Sequence, residues 1–328
     1  MPKSAVPSAP PRLTIAKLAR SIGVSPATVS NALNDRGHLS ARTRARVLEA
    51  VAQSGYAPSF TAKALRTGRT QTVGLILPNI TNPVFPLMAQ EIEREVSARG
   101  QAVMLMDSQG DLGAQARALE SLRGRGVDAI ILVACRGTQQ GDVPDGVILI
   151  DAPSNPRSDV SSDHFLGGQL AARHLLDLGH RRIGALAGPQ NSRVAQERYR
   201  GAASVLHAAG LDFVPRVHSS YGLEHGESYA AQHLPGACSA VYAVSDSLAV
   251  GLIRGLQARG LRVPDDLSVM GFDDVVWAEL ITPPLSTIRQ NAPAIARFAV
   301  RLAMGESVET RAVPVELVVR QSTRPRQV

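Results

Sequence analysis

The sequence predicts an all-helical head with a helix-turn-helix, followed by a larger α/β domain made of two Rossmann-like subdomains. Three observations lead to this fold class. Two short helical patterns joined by a glycine-containing turn lie near the N-terminus, basic residues are concentrated in the same region, and apolar strand patterns alternate with amphipathic helix patterns further on. At 328 residues, the chain is also too long for one ordinary domain.

The N-terminal region contains signals for two short helices. Thr14 as N-cap, followed by apolar residues at helical spacing, predicts a first helix from about Ile15 to Ser21. Ser25 as N-cap and Pro26 at the first helical position predict a second helix that ends near Leu33. Two helices joined in this way form a helix-turn-helix, whose second helix can bring its N-terminal side chains to base edges in a DNA major groove.

A third helix should complete this head. It is predicted from about Ala41 to Ser54, with Ser40 as its cap. Its apolar residues Val47, Leu48 and Val51 are expected to close a small three-helix core.

Charge is divided unevenly along the chain. Residues 1–69 contain eleven lysines and arginines against two acidic residues, a net charge of +9, whereas the remainder carries −2. A basic segment attached to a nearly neutral bulk is typical of nucleic-acid binding, and a solvated basic face is the alternative.

The composition is that of a globular protein with an aliphatic core, since 44% of residues are hydrophobic and only 4% are aromatic. Cys135 and Cys238 form no CxxC pair and lie near no histidine cluster, so we expect no disulfide framework, metal site or cofactor. Residues 1–11 are expected to be a disordered tail. No secretory signal or transmembrane segment is recognisable, which predicts a soluble, cytoplasmic protein without a membrane partner.

From Thr72 onward, buried strand patterns alternate with amphipathic helix patterns, which predicts parallel doubly wound sheets. The predicted strands are 73–77, 103–106, 129–133 and 147–150, then 183–187, 240–244 and 267–271. The predicted helices are 84–99, 112–125, 167–178, 194–209 and 247–259. Ligands of such sheets bind beyond the carboxyl ends of the strands.

The head carries a family resemblance. The segments Thr14–Asn34 (TIAKLARSIGVSPATVSNALN), Leu39–Arg44 (LSARTR) and Gly55–Pro58 (GYAP) resemble the lac repressor (LacI/GalR) family of bacterial transcriptional regulators. The resemblance implies a head over residues 12–57 that binds double-stranded, pseudo-palindromic operator DNA. The DNA-binding residues that it implies in this head are Thr14, Ser25, Pro26, Ala27, Thr28, Ser30, Asn31, Asn34 and His38.

Residues 58–69 resemble the hinge helix of the same family. A helix this short is unstable alone, so it should form only when it packs against its twin or against DNA. The resemblance implies that Ala62, Lys63 and Leu65 contact DNA and that Leu65 wedges into the central base step. An ordinary core role for Leu65 is the alternative.

The resemblance continues through residues 74–85, 172–183, 262–274 and 282–288 and implies a sensor domain, residues 70–328, similar to periplasmic sugar-binding proteins. In that architecture the chain crosses between subdomains near residues 158, 289 and 319. The first subdomain would hold about 70–158 and 290–318, and the second about 159–289 and 319–328.

The resemblance also implies an effector cleft at the strand ends, with Arg198 gripping the ligand, Asp273 accepting from it and Tyr221 packing on it. The full predicted set is Asn82, Phe85, Asp151, Asp163, Arg198, Tyr221, Ser245, Asp246 and Asp273, with Arg193, His164 and Trp277 at the rim. Such groups suit a polyhydroxylated or acidic small molecule; a sugar or sugar derivative is expected, and a nucleobase-like ligand is the alternative.

Other classes of protein are less well supported. The chain has no GxxxxGK[ST], GxSxG or HExxH motif, so we expect no enzyme and no catalytic residues. A solute-binding protein would share the sensor fold but not the basic helix-turn-helix. A two-fold operator requires a two-fold protein, which predicts a homodimer. Release by an inducer and dependence on a corepressor both remain open.

Overall fold

The computed structural model describes residues 14–33, 37–56, 64, 67–152, 158–233, 236–309 and 311–326. The chain divides into two compact units, residues 1–70 and 71–328. The predicted tail and most of the predicted hinge segment lie outside the described residues.

The first unit contains three helices at the predicted bounds: α1 (Ile15–Ser21), α2 (Pro26–Leu33) and α3 (Ala41–Ser54). Local capping explains this agreement. Ser25 Oγ accepts a hydrogen bond from the Thr28 N–H at 3.0 Å, and Ser40 Oγ accepts one from the Thr43 N–H at 3.1 Å.

The core of this unit is formed by Leu18, Ala19, Val29, Ala32 and Val47. Leu48, which we predicted as core, is 45% exposed. The reason is helical geometry, since Val47 and Val51 share a face and Leu48 is rotated away from it.

The second unit contains a six-stranded parallel sheet, a four-stranded parallel sheet and an antiparallel strand pair. The six-stranded sheet has the order β11-β5-β4-β3-β1-β2 and consists of β1 (Thr72–Leu77), β2 (Ala102–Asp107), β3 (Ala129–Val133), β4 (Val147–Ile150), β5 (Ser158–Ser162) and β11 (Ala312–Val313). The four-stranded sheet has the order β7-β6-β8-β9 and consists of β6 (Ile183–Leu186), β7 (Phe213–Val217), β8 (Ala240–Ala243) and β9 (Ser268–Met270). The strand pair consists of β10 (Thr287–Arg289) and β12 (Glu316–Val318).

The helices of this unit are α4 (Val84–Ser97), α5 (Leu112–Gly124), α6 (His164–Asp177), α7 (Arg193–Ala208), α8 (Leu223–His233), α9 (Asp246–Gln257), α10 (Val276–Leu280) and α11 (Ala292–Ala303). Helix α11 follows the second sheet in sequence but packs against α4 and the first sheet. Two subdomains are thereby formed, each around its own sheet, as the sequence predicts.

Strands β5 and β7 and helices α8 and α11 were not among the predicted elements, and two differences bear on the site described below. Strand β5 pairs with β4, so the chain leaves the first sheet after Ser162 and not near residue 158. Helix α6 begins at His164, because Asp163 Oδ1 accepts a hydrogen bond from the Leu166 N–H at 2.9 Å and caps it. Both differences depend on pairing and capping that apolar periodicity does not show.

Close packing of α6 on α7 positions the site described below. A Cβ atom on Gly168 would collide with the Arg198 carbonyl, and one on Gly201 would collide with the Phe165 carbonyl. Glycine at these positions lets the two helix backbones touch. Arg198 therefore lies directly against the first turn of α6.

Within the described residues, no helix is both long enough and apolar enough to cross a membrane.

Candidate functional site

The first unit presents an exposed surface at the start of α2. Pro26, Ala27 and Asn31 are exposed, whereas Val29 on the same helix is buried in the core. The hydroxyl groups of Ser25 and Thr28 lie 2.8 Å apart, and Ser25 caps the helix. The N-terminal end of α2 is therefore free to contact a nucleic acid.

The other residues predicted to bind DNA have varied positions. Thr14 caps α1 through a 3.4 Å hydrogen bond from the Lys17 N–H, His38 is exposed, and Ser30 is partly buried. Asn34, Ala62, Lys63 and Leu65 lie outside the described residues.

The second unit contains a cavity of about 460 Å³ between its two subdomains. Most of the predicted effector residues line it, namely Asn82, Phe85, Asp151, Arg198, Tyr221, Ser245, Asp273 and Trp277. Both sheets contribute to the walls, since Asn82 follows β1, Asp151 follows β4 and Ser245 follows β8.

Four predicted residues do not line this cavity. Asp163 caps α6, and Arg193 is exposed and donates to Gln196 Oε1 at 3.2 Å. His164 and Asp246 are buried. His164 supports two residues that do line the cavity, and Asp246 has a structural role.

Arg198 is held in one orientation by the protein. It is 4% exposed, and its guanidinium lies 3.8 Å from the centre of the Phe272 ring. Its Nη1 lies 2.8 Å from Asp273 Oδ1 and donates to the Val244 carbonyl at 2.8 Å. Burial alone would lower the pKa of Arg198, but Asp273, Tyr221 and Asp151 together raise it. The side chain is therefore a fixed cation at the cavity wall.

His164 joins Arg198 to Asp151. Arg198 Nε–H donates to His164 Nδ1 at 3.2 Å, so the imidazole proton is on Nε2, which lies 2.8 Å from Asp151 Oδ1. Burial alone would raise the pKa of Asp151, but His164 and Arg198 lower it to about 2. Asp151 is therefore an ionised acceptor at the cavity wall.

Asp273 has a second partner besides Arg198. Gln290 Nε2 donates to Asp273 Oδ1 at 2.7 Å, and Gln290 Oε1 accepts from the Ser162 hydroxyl at 2.7 Å. Burial raises the pKa of Asp273, while Arg198 and His164 act against this rise. Ser162 belongs to β5, so this chain of hydrogen bonds connects the two subdomains beneath the cavity.

Asp246 connects loops below the cavity. Its carboxyl oxygens accept hydrogen bonds from the Thr287 hydroxyl at 2.6 Å and from the Val275 N–H at 2.9 Å. Burial and repulsion from Asp273 raise the pKa of Asp246 well above its usual range. Complete burial by its neighbours keeps it away from any ligand in the cavity.

Sequence reasoning missed several residues of the site. Ser192 and Arg136 line the cavity, and the Ser192 hydroxyl lies 2.9 Å from that of Tyr221. Arg136 follows the end of β3, so it could have been predicted from the tendency of ligands to bind beyond the carboxyl ends of the strands. Phe272 and Gln290 act through tertiary contacts with Arg198 and Asp273, for which the sequence has no local signal.

Among the described residues, no group of three or more His, Cys, Asp or Glu side chains is placed to hold a metal ion.

Comparisons with known proteins connect both units to one family. Residues 14–59 match the family described as bacterial regulatory proteins, lacI family, and residues 172–323 match the periplasmic binding protein-like domain. The HTH-type transcriptional regulator DegA of Bacillus subtilis is 32% identical, with 96% of this chain and 99% of DegA covered. The ribose operon repressor of Bacillus subtilis is also 32% identical, with 95% of this chain and 98% of that repressor covered.

The structure is similar to that of the lac repressor dimer bound to operator and the anti-inducer ONPF. The TM-score is 0.85 at 26% sequence identity, with 96% of this chain and all of that one covered. The sequence relatives are 32% identical over almost their whole length, and the match to the solved structure covers 96% of this chain. The chain therefore belongs to the lacI family of DNA-binding transcriptional regulators.

Proposed function

We propose that the protein is a cytoplasmic, homodimeric repressor whose affinity for operator DNA is controlled by a sugar or sugar derivative bound in the cavity. The observation that carries this proposal is the fixed pair Arg198–Asp273 at the cavity wall, with Nη1 and Oδ1 2.8 Å apart. A buried cation and a carboxylate with free lone pairs are suited to binding several hydroxyl groups.

The rest of the cavity supports a hydroxylated ligand. Asp151 is an ionised acceptor, and Asn82 uses Oδ1 to accept from the Val84 N–H at 3.2 Å, which leaves its amide N–H groups for a ligand. Phe85 and Trp277 supply apolar surface at the same wall. The name of the ribose operon repressor, a relative at 32% identity, is consistent with a sugar ligand here.

The exposed N-terminal end of α2 supports operator binding. In this proposal Pro26, Ala27 and Asn31 contact base edges, while the other predicted head residues position the helix on DNA. Leu65 would wedge into the central base step of a pseudo-palindromic site. Basic residues in the first unit supply the phosphate attraction.

A second copy of the chain is the proposed occupant of an apolar groove on the second unit. The groove includes Leu105 of β2, residues of α4 such as Leu87, and Val276 of α10. Leu87 and Leu105 are 40% and 43% exposed, and Val276 is 57% exposed. Exposed apolar surface of this kind marks an interface. Because it includes both subdomains, a ligand that changes their separation would also change the dimer.

The proposal is tested with the full-length protein on DNA selected from a random library. We expect the selected sites to be pseudo-palindromic, and we expect at least one sugar or sugar derivative to change operator affinity by about fivefold or more. Asp273→Ala should remove this response. A selected site without two-fold symmetry, or a response unchanged in Asp273→Ala, would contradict the proposal.

A further inference from the structure

Arg136 is a cation in the cavity wall that has no partner among the described residues. It follows β3 in the first subdomain, lines the cavity and is exposed. Within the part of the chain that the structure describes, its side chain forms no hydrogen bond and no ion pair. The five N–H donors of its guanidinium are therefore available to a ligand.

The backbone on either side of Arg136 is nevertheless fixed. The Cys135 N–H donates to Oε1 of the buried Gln115 at 2.7 Å, and the Cys135 carbonyl accepts from the Thr138 hydroxyl at 2.8 Å. Gln115 Nε2 also donates to Thr138 Oγ1 at 3.1 Å. A rigid loop that carries a free guanidinium is a prepared binding group, because little backbone order has to be gained when a ligand arrives.

The other charged groups of the cavity already have partners. Three further charged side chains line it, namely Asp151, Arg198 and Asp273. Asp273 pairs with Arg198 at 2.8 Å, and Asp151 pairs with the buried His164 at 2.8 Å. Both carboxylates can still accept from ligand hydroxyls, but both repel an anionic group. An acidic group on a ligand is therefore directed away from the aspartates and toward Arg136.

The positive charge of Arg136 acts electrostatically on Tyr221 in the opposite wall of the cavity. Burial raises the pKa of Tyr221 in the second subdomain, and the charges of Arg198 and Arg136 act against this rise. Arg136 thus acts on the same enclosed space as the groups that would bind hydroxyls.

We infer that the effector is an anionic sugar derivative, whose carboxylate or phosphate binds Arg136 while its hydroxyl groups bind Asp151 and Asp273. This inference rests on the proposed function and narrows its class of ligand. A planar guanidinium binds a carboxylate or a phosphate through two parallel hydrogen bonds, so the two sources share one chemistry.

The test is calorimetric titration of the full-length protein with matched compounds. Each of ribose, glucose and galactose is compared with its aldonate and its terminal phosphate, and glucose and galactose also with their uronates. We expect one anionic compound to bind about tenfold or more tightly than its neutral parent, as a charge-assisted hydrogen bond implies. Whichever derivatives bind more tightly, the carboxylates or the phosphates, then identify the anionic group of the effector.

Two variants and a control locate the effect. In wild type, the dissociation constant of the neutral sugar is divided by that of its anionic derivative. Arg136→Gln should reduce this ratio to about one, and Arg136→Lys should restore part of it. The control is Arg297→Gln, on exposed α11 surface outside the cavity, which should retain the wild-type ratio.

The outcomes separate this inference from the proposed function. A neutral sugar that binds more tightly than its anionic derivatives and changes operator affinity would overturn the inference and leave the proposed function standing. An anionic preference that survives in Arg136→Gln would also overturn it. If no compound of either kind bound a protein that still bound its operator, both the inference and the sugar effector would be wrong.

Discussion

The two walls of the cavity are built in different ways. In the second subdomain, Arg198 is buried and contacts His164, Phe272 and Asp273, with Nη1 2.8 Å from Asp273 Oδ1. In the first subdomain, Asn82 is partly buried and Arg136 is exposed. Arg198 is thus continuous with the hydrophobic and polar core of its subdomain, whereas Asn82 and Arg136 have little to do with folding.

This difference predicts where effector binding and folding stability depend on the same contacts. A change in the second-subdomain wall should alter both the free energy of unfolding and effector binding, because the same contacts serve both. A change at Asn82 or Arg136 in the first-subdomain wall should alter binding alone, whereas Asp151 in the same wall is held by His164 at 2.8 Å. Side chains that are free of folding constraints can respond to a ligand without disturbing the subdomain that carries them.

Removing Arg198 is the strongest test of the comparison. Arg198→Ala leaves Asp273 buried without its cation, which should lower the free energy of unfolding by about 3–5 kcal/mol and abolish effector binding. Urea unfolding and calorimetry measure the two effects. The double variant Arg198→Ala with Asp273→Ala should be less destabilised than Arg198→Ala alone. Equal stability of Arg198→Ala and wild type would show that this wall is not part of the core.

The close contact of α6 and α7 gives the next largest effect. Gly168→Ala places a methyl group against the Arg198 carbonyl, and overpacking of this kind costs about 1–3 kcal/mol. Effector affinity should fall too, because the helix that carries Arg198 is displaced. The matched control is Gly124→Ala at the end of α5, where a Cβ meets no atom within 4 Å. If both variants lost the same stability in urea, the helix contact would not support the wall.

The same contrast explains what the sequence could predict. The bounds of α2 were predictable because Ser25 and Pro26 are local signals at adjacent positions. Arg198 and Asp273 were reached through the family resemblance, and the structure places both at the cavity. The link from Asp151 through His164 to Arg198 was not predicted, because it joins residues that are distant in sequence and close only after both subdomains fold.

Two carboxylates of the predicted site do not line the cavity, and the cause is physical. Asp163 and Asp246 follow or flank strand ends, as ligand-binding residues do, but the backbone uses the first as a cap and the second as a bridge between loops. Sequence position alone does not distinguish a carboxylate that accepts from its own backbone from one that faces a cavity. Only the structure shows this distinction, because it shows that Asp246 is buried.

The pH dependence of the free energy of unfolding tests the role of buried Asp246 in the second subdomain. Its pKa is raised by burial and by Asp273, so its contribution to stability is full below its unfolded pKa and is lost as pH rises through the higher folded pKa. Asp246→Asn removes that loss while retaining an oxygen for the Val275 N–H. We expect the variant to gain stability over wild type by about 1 kcal/mol or more between pH 4 and pH 8. Urea unfolding at both pH values measures this gain, and a difference that stays constant would contradict it.

The smallest effect on stability is expected at Asn82, in the first-subdomain wall. Asn82→Ser keeps an oxygen that can accept from the Val84 N–H, as Oδ1 does now at 3.2 Å, but removes the amide N–H groups of a residue that lines the cavity. Loss of a neutral hydrogen bond to the effector should weaken binding by about three- to tenfold, while the free energy of unfolding changes by less than about 0.5 kcal/mol. Calorimetry and urea unfolding on the same preparation give both numbers. A large loss of stability here would mean that Asn82 belongs to the folding core and that the two walls are alike. Unchanged affinity in a stable variant would instead remove Asn82 from the effector site and leave the first-subdomain contacts to Phe85, Arg136 and Asp151.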